Sequence, residues 1–306
     1  MASNISREGR SCFLHLPDPS FHLVSERYLV NLVTAIINIV SSPFGVVSNL
    51  LIMVSILSNS RLRTPSNLFI SCLALSDVLV GLSVQPGYIA FRLMENQLRS
   101  VPCFVRVAYT NAFYICCGVS FMTLTSISYE RFVAVRLHTR YNETFSSRRV
   151  LKYVSAIWVF NILLTCLQWA GSGISKISRG THLLVWFCCL LTAIIANIRI
   201  MLFLHRYRHQ VRSINVVSQS IQHRRAISRT KTICMIVGVY FLLNVPVLFV
   251  TIYHQILEQD IKSYNHYSWA ETAAFLNSCT NPLICYWKNR HICQSVKSIL
   301  RKLSCC

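Results

Sequence analysis

Asn277, Ser278, Thr280 and Asn281 stand together immediately before Pro282, inside a stretch that is otherwise apolar. Amides, hydroxyls and a helix-breaking proline in hydrocarbon are costly unless they face other helices, water or an ion, so the run implies a polar interior. Asp77 poses the same problem. It is a lone carboxylate deep in another apolar stretch, and burial requires that it take up a proton, a cation or several hydrogen-bond donors. Glu130, Arg131 and Phe132 close a third such stretch. Arg131 is always charged, so it needs an adjacent acid at rest and a new partner when the surrounding helices rearrange; Glu130 is that acid. None of this is catalytic chemistry. Among ten histidines and fourteen cysteines no metal-ligand spacing stands out, nor does any phosphate loop or nucleophile–base pair, so the reading is a non-enzyme without a resident cofactor.

The elements that must hold these residues are apolar stretches near 30–58, 66–92, 104–136, 150–172, 182–206, 226–254 and 267–287, most ended by basic or turn-forming residues. Charged residues make up only 13% of the chain, about half the usual share, which excludes an ordinary soluble enzyme of this length. The predicted fold is all-α, an integral membrane bundle of seven transmembrane helices. Residues 1–29 form an N-terminal segment, 30–287 the bundle and 288–306 a basic amphipathic tail that lies on the membrane surface.

The formal net charge of +20 raises nucleic acid as a partner, but its distribution points to a lipid membrane instead. With the N-terminus outside, 21 of the 30 basic residues fall on the cytoplasmic side, as the positive-inside bias requires. The first 28 residues have no continuous apolar core and are no cleavable signal peptide, so the first span directs insertion itself. Asn4 begins an Asn-Ile-Ser glycosylation acceptor on the outer side, whereas the acceptor at Asn142 falls on the cytoplasmic side. Most cysteines fall within spans and read as small buried hydrophobes. Cys305 and Cys306 end the tail, where palmitoylation would anchor it.

Ser48-Asn49 in the first span, Leu73-Ala74-Leu75-Ser76-Asp77 in the second, Glu130-Arg131-Phe132 at the end of the third, Trp158 in the fourth, Pro246 in the sixth and Asn281-Pro282 in the seventh come in one order. In that order they resemble the rhodopsin-like (class A) family of G-protein-coupled receptors. The resemblance implies a plasma-membrane protein that binds an extracellular ligand and activates a heterotrimeric G protein, with Glu130, Arg131 and Phe132 at the coupling end. It also implies an allosteric sodium ion on Asp77 within an oxygen-rich set of Asn49, Ser120, Asn277, Ser278 and Asn281. A hydrogen-bonded knot without an ion is the alternative. Pro246 and Pro282 are expected to act as helix pivots and Pro86 to bend the second span, while Pro43 reads as structural.

The chain departs from the family at several switch positions. Asn244 replaces the aromatic residue usual before Pro246, and Cys285 stands where a tyrosine is usual, with Tyr286 one step around the helix. The fifth span has no proline, and the loop expected at 171–181 has no cysteine. Cys12 and Cys103, the two cysteines placed clearly outside, are therefore expected to pair. Ala226 stands where many relatives carry an acid that reaches Arg131, which leaves Glu130 as its one evident partner and implies appreciable basal activity. The short cysteine-free loop is similar to melanocortin receptors, Arg140-Tyr141-Asn142-Glu143 to adenosine receptors and Arg63-Thr64-Pro65-Ser66-Asn67 to amine receptors.

Phe113 occupies the position of the aspartate of amine receptors, and Phe275 that of the retinal-binding lysine of opsins. Both ligand classes are thereby excluded in their standard form. The expected pocket is lined by Tyr88, Phe113, Tyr114 and Phe275, with Asn244 below and Glu271 near the mouth. The rival reading is a non-signalling receptor relic that dimerises with or escorts other receptors.

Overall fold

The computed structural model describes residues 24–97, 101–136, 141–213, 221–256 and 261–304, and every described element is a helix. The helices are α1 (Val24–Ser58), α2 (Pro65–Asn96), α3 (Cys103–Arg136), α4 (Ser147–Cys166), α5 (Ser172–Ser213), α6 (Ile221–Ile256), α7 (Ile261–Lys288) and α8 (Arg290–Ser304). The helices α1 to α6 contain stretches long and apolar enough to cross a bilayer. α7, with 28 residues, has the length but carries the polar run; it packs between α1 and α6.

Burial shows which solvent the bundle is built for. Asn31, Asn38 and Asn49 are almost fully buried, whereas Leu242 is 75% exposed and Leu29 and Phe249 are each 68% exposed. A water-soluble fold would reverse that order; apolar groups outside and paired polar groups inside suit hydrocarbon.

Local chemistry sets the ends. Thr64 caps α2 by accepting from the Asn67 amide, with Pro65 in the first turn, where its missing N–H costs nothing. Ser146 caps α4 through the Arg149 amide. Within α2 a π-helical turn, Val80–Val84, immediately precedes Gln85 and Pro86. Proline lacks an N–H and its ring crowds the carbonyl four residues back, and widening one turn relieves both demands. Pro43, Pro246 and Pro282 lie inside α1, α6 and α7.

The segment expected as a loop at 171–181 is helical instead. α5 starts at Ser172, and only Ala170 and Gly171 separate it from the 3-10 turn Leu167–Trp169 that ends α4. Gly171 has φ +138°, a conformation that side chains disfavour, which lets the chain reverse in so little space. Ser178 of this segment faces α4, donating to the Leu164 carbonyl at 2.6 Å, and Ser175 is buried.

α3 is the central strut. A Cβ on Gly118 would lie 1.9 Å from Asn161 Oδ1, so the glycine permits α3 and α4 to meet. Beside it Trp186 of α5 stacks on Phe121 at 5.5 Å, and Phe121 meets Tyr240 of α6 edge-on at 5.2 Å. α8 follows α7 after Asn289 and buries Ile292 and Val296, packing against α1.

Candidate functional site

The buried polar groups form three clusters along the bundle. At the end where α1 starts, the outer end of the predicted orientation, Arg27 Nη1 donates to Glu95 Oε1 at 2.5 Å, and Arg92 lies 3.3 Å from Glu95 Oε2 and 3.1 Å from Glu271 Oε2. Tyr109 donates to Glu271 Oε1 at 2.6 Å. α1, α2, α3 and α7 are thus joined through two guanidinium groups and two carboxylates, all nearly water-free. Charges so placed persist only when paired, because removing either member leaves an uncompensated buried ion.

Below this, one face of α1 continues the polar contacts. Thr34 accepts from the Tyr88 hydroxyl at 2.9 Å, Asn38 accepts from Gln85 at 2.9 Å and donates to Thr272 at 3.2 Å, and Ser42 donates to the Gly81 carbonyl at 2.7 Å. The helical spacing of Arg27, Asn31, Thr34, Asn38 and Ser42 places all five on the seam with α2 and α7.

The central cluster surrounds Asp77. Ser278 donates to Oδ1 at 3.1 Å and Asn281 to Oδ2 at 2.9 Å. Asn49 is one step removed, donating to the Ser278 carbonyl at 2.7 Å. Ser120 pairs with Ser76 at 3.0 Å rather than with the carboxylate. The Oδ1 atoms of Asn277 and Asn281 are buried without a partner, and a cavity lined by Asn49, Asp77, Asn281, Cys285 and six apolar residues has room for about one water-sized particle. Asp77 and the Asn281 oxygen are the hard donors a monovalent cation prefers, while most of the cavity wall is apolar. Cys285 is buried against this cavity, and Tyr286 turns away to donate to the Ser48 carbonyl at 3.1 Å.

At the opposite end Glu130 and Arg131 form a two-pronged pair, Nε to Oε2 and Nη2 to Oε1, each 2.5 Å. Glu130 also accepts from Ser66 at 2.8 Å and from the Tyr141 hydroxyl at 2.5 Å. Tyr141 opens a single helical turn, Tyr141–Thr144, beyond the end of α3. Burial, with the Glu130 carboxylate next in effect, pushes its phenol up to about 12, so it remains a proton donor at physiological pH. Phe132 is half-buried, with the Arg136 guanidinium 5.7 Å from its ring.

This order of clusters along seven helices is matched by a family-wide pattern, since residues 48–285 fit the description 7 transmembrane receptor (rhodopsin family). The chain belongs to the rhodopsin-like family of seven-transmembrane receptors. It is 24% identical to adenosine receptor A2b of Mus musculus over 88% of its own length and 90% of that protein. More local matches are an alpha-1A adrenergic receptor of Oryzias latipes, 30% identical over 40% of this chain and 26% of the relative, and a probable G-protein coupled receptor No9 of Amphibalanus amphitrite, 31% identical over 48% and 30%.

In this receptor the cavity at the end where α1 starts has a volume of about 140 Å³. Phe113, Tyr114 and Glu271 line it, together with Tyr109, Trp169 and Arg179. Three residues expected in the lining lie off it. Tyr88 and Phe275 pack edge-on at 5.5 Å, each nearly fully buried, and the Tyr88 hydroxyl is committed to Thr34. Asn244 is buried and turns back to donate to the Tyr240 carbonyl at 2.9 Å. Cys103 is disulfide-bonded, whereas Cys12, Asn4, Cys305 and Cys306 lie outside the described residues, as does the Ala226 side chain.

Sequence reasoning missed Arg27, Arg92, Glu95, Ser66 and Tyr141. The first three look like charges flanking spans. The signal that reveals them is the polar residue at every turn of α1, which a helix wholly surrounded by lipid and apolar neighbours would not carry. Ser66 and Tyr141 left no such trace.

Proposed function

We propose that this receptor sits in the plasma membrane with its N-terminus outside and its C-terminus in the cytoplasm, binds an extracellular ligand in the outer cavity and activates a heterotrimeric G protein. The observation that carries this reading is the buried Glu130–Arg131 pair at the end opposite the cavity. A guanidinium held by an acid on its own helix can change partners when α6 moves, without being deprotonated. Phe132 adjoins it on the coupling face. Pro246 and Pro282 are the places where α6 and α7 lack a backbone hydrogen bond and can pivot.

A sodium ion would be held by Asp77 with oxygens of Ser278, Asn277 and Asn281, Asn49 supporting the Ser278 backbone. It would supply positive charge that favours the closed packing of α2, α3 and α7. The chain's own part is to orient those oxygens. A typical amine and retinal are both disfavoured, since Phe113 offers no counter-charge and Phe275 no amine to form a Schiff base.

A second reading, a non-signalling relic that pairs with or escorts other receptors, draws on Asn244 and Cys285 at two switch positions. Expression with reporters for each G-protein class separates the two. Signalling above that of Arg131→Ala at equal surface expression supports the receptor. Identical silence of both across all classes supports the relic.

A further inference from the structure

We propose that Trp186 of α5 carries a change in the outer cavity to the inner half of α6, in place of an aromatic side chain at Asn244; this rests on the reading above that the cavity is the ligand site and that Arg131 couples. Asn244 is spent within its own helix. It is buried, donates to the Tyr240 carbonyl at 2.9 Å and lines no part of the cavity.

A chain of rings supplies the other route. Phe113 and Tyr114 line the cavity, and the Trp186 ring lies 6.2 Å from the first and 5.7 Å from the second. Trp186 also stacks on Phe121 at 5.5 Å with the planes 20° apart, and Phe121 meets the Tyr240 ring at 5.2 Å and 90°. Phe113, Trp186, Phe121 and Tyr240 are all buried, so a shift of one ring displaces the next.

The surroundings leave these rings able to shift. Trp186 Nε1 lies 3.4 Å from the point where a Cβ on Gly118 would stand, so at that point α3 presents backbone to the indole. Among the described residues the Trp186 Nε1 and Tyr240 hydroxyl donors have no hydrogen-bond partner, and packing alone sets the two side chains. α5 runs from Ser172 to Ser213 with no proline at which to bend, whereas α6 contains Pro246. Tyr240 lies on the Ile221 side of that proline. A push on its ring therefore acts on the half of α6 that must swing for Arg131 to change partners.

The test is ligand-independent G-protein activation by the full-length receptor, measured against surface expression, with the melting temperature in lipid nanodiscs beside it. Phe113→Trp enlarges the ring at the cavity wall and Phe113→Leu removes it; at least one should shift signalling about threefold or more. Adding Trp186→Leu should cancel that shift, and adding Trp186→Phe, which keeps a ring, should retain part of it. Glu130→Gln acts at the inner end, so the signalling it raises should survive Trp186→Leu. Ile157→Ala, a buried change in α4 outside the ring chain, should lower the melting temperature yet leave the Phe113 shift in place. A Phe113 shift that persists in Trp186→Leu overturns the proposal. So does a Trp186→Leu that silences Glu130→Gln as well, because the tryptophan then supports the fold alone. No response to either Phe113 change while Glu130→Gln signals rejects the route and keeps the coupling. Silence of Glu130→Gln and the wild type together rejects the coupling reading itself, and the proposal falls with it.

Discussion

Arg92 of α2 reaches across to Glu271 of α7 at 3.1 Å, tying the wall of the outer cavity to the charge cluster that joins α1 and α2. The contact makes Glu271 one member of a buried ion pair. Among the described contacts, truncating Arg92 leaves Glu271 with Tyr109 and Glu95 with Arg27 and Asn31. Breaking a buried pair from one side costs about 3–5 kcal/mol. Arg92→Ala should therefore lower the melting temperature and surface expression sharply. Adding Glu271→Gln to it should recover part of the loss, because the orphaned charge is gone. A double variant no more stable than Arg92→Ala would show that the pair is not coupled.

The Asp77 cluster predicts sodium dependence. Ser278 and Asn281 supply two donors to the carboxylate, and the oxygens of Asn277 and Asn281 are buried without a partner. Sodium should raise the melting temperature of the wild type, and potassium should do so much less. Asp77→Asn should remove the difference. Equal curves in the two salts for the wild type would identify the cluster as a hydrogen-bonded knot without an ion.

The closeness of Asp77 to Ser278 and Asn281 is legible in the sequence because polar groups in apolar spans have few places to go. Glu130 and Arg131 are legible because they are neighbours in the chain. The outer cluster is not. Arg27 and Glu95 are 68 residues apart, and Arg92 and Glu271 are 179 apart. Each taken alone reads as an interfacial charge, since long basic side chains near helix ends ordinarily reach back to water. The start of α5 was hidden for a related reason. Ser178 and His182 interrupt apolar periodicity, yet both are buried against α4, where polar contacts replace apolar ones.

Gly118 provides a test of packing that is independent of charge. A methyl group there would fall 1.9 Å from Asn161 Oδ1 and 3.4 Å from Trp186 Nε1. The amide must move, at the cost of its 2.8 Å bond to the Ile157 carbonyl. Overpacking of this kind costs about 1–3 kcal/mol. Gly118→Ala should reduce thermal stability by that order, and Asn161→Ala added to it should return most of the loss. Failure of the second change to help would mean that α3 and α4 separate instead.

The clasp at the inner end of α3 in the proposed orientation has more members than Glu130 and Arg131. Ser66 of α2 and Tyr141 beyond α3 both donate to Glu130 Oε1, so the acid is fixed from two further elements while it holds the arginine. Hydrogen bonds to a charged group contribute about 1.5–3 kcal/mol, and only the part lost on activation biases the resting state. A bias of about 1 kcal/mol changes the active population several-fold. Tyr141→Phe removes one hydroxyl with little change of shape, and it should raise ligand-independent signalling several-fold. Ser66→Ala should do the same to a smaller degree, because its 2.8 Å bond is longer and comes from a neutral aliphatic hydroxyl. Glu130→Gln should raise signalling most, since it weakens every contact at once, and Arg131→Ala should abolish it. Signalling measured against surface expression for all four variants checks the order. If Tyr141→Phe matches the wild type while Glu130→Gln is active, the tyrosine holds the turn in place without holding the resting state.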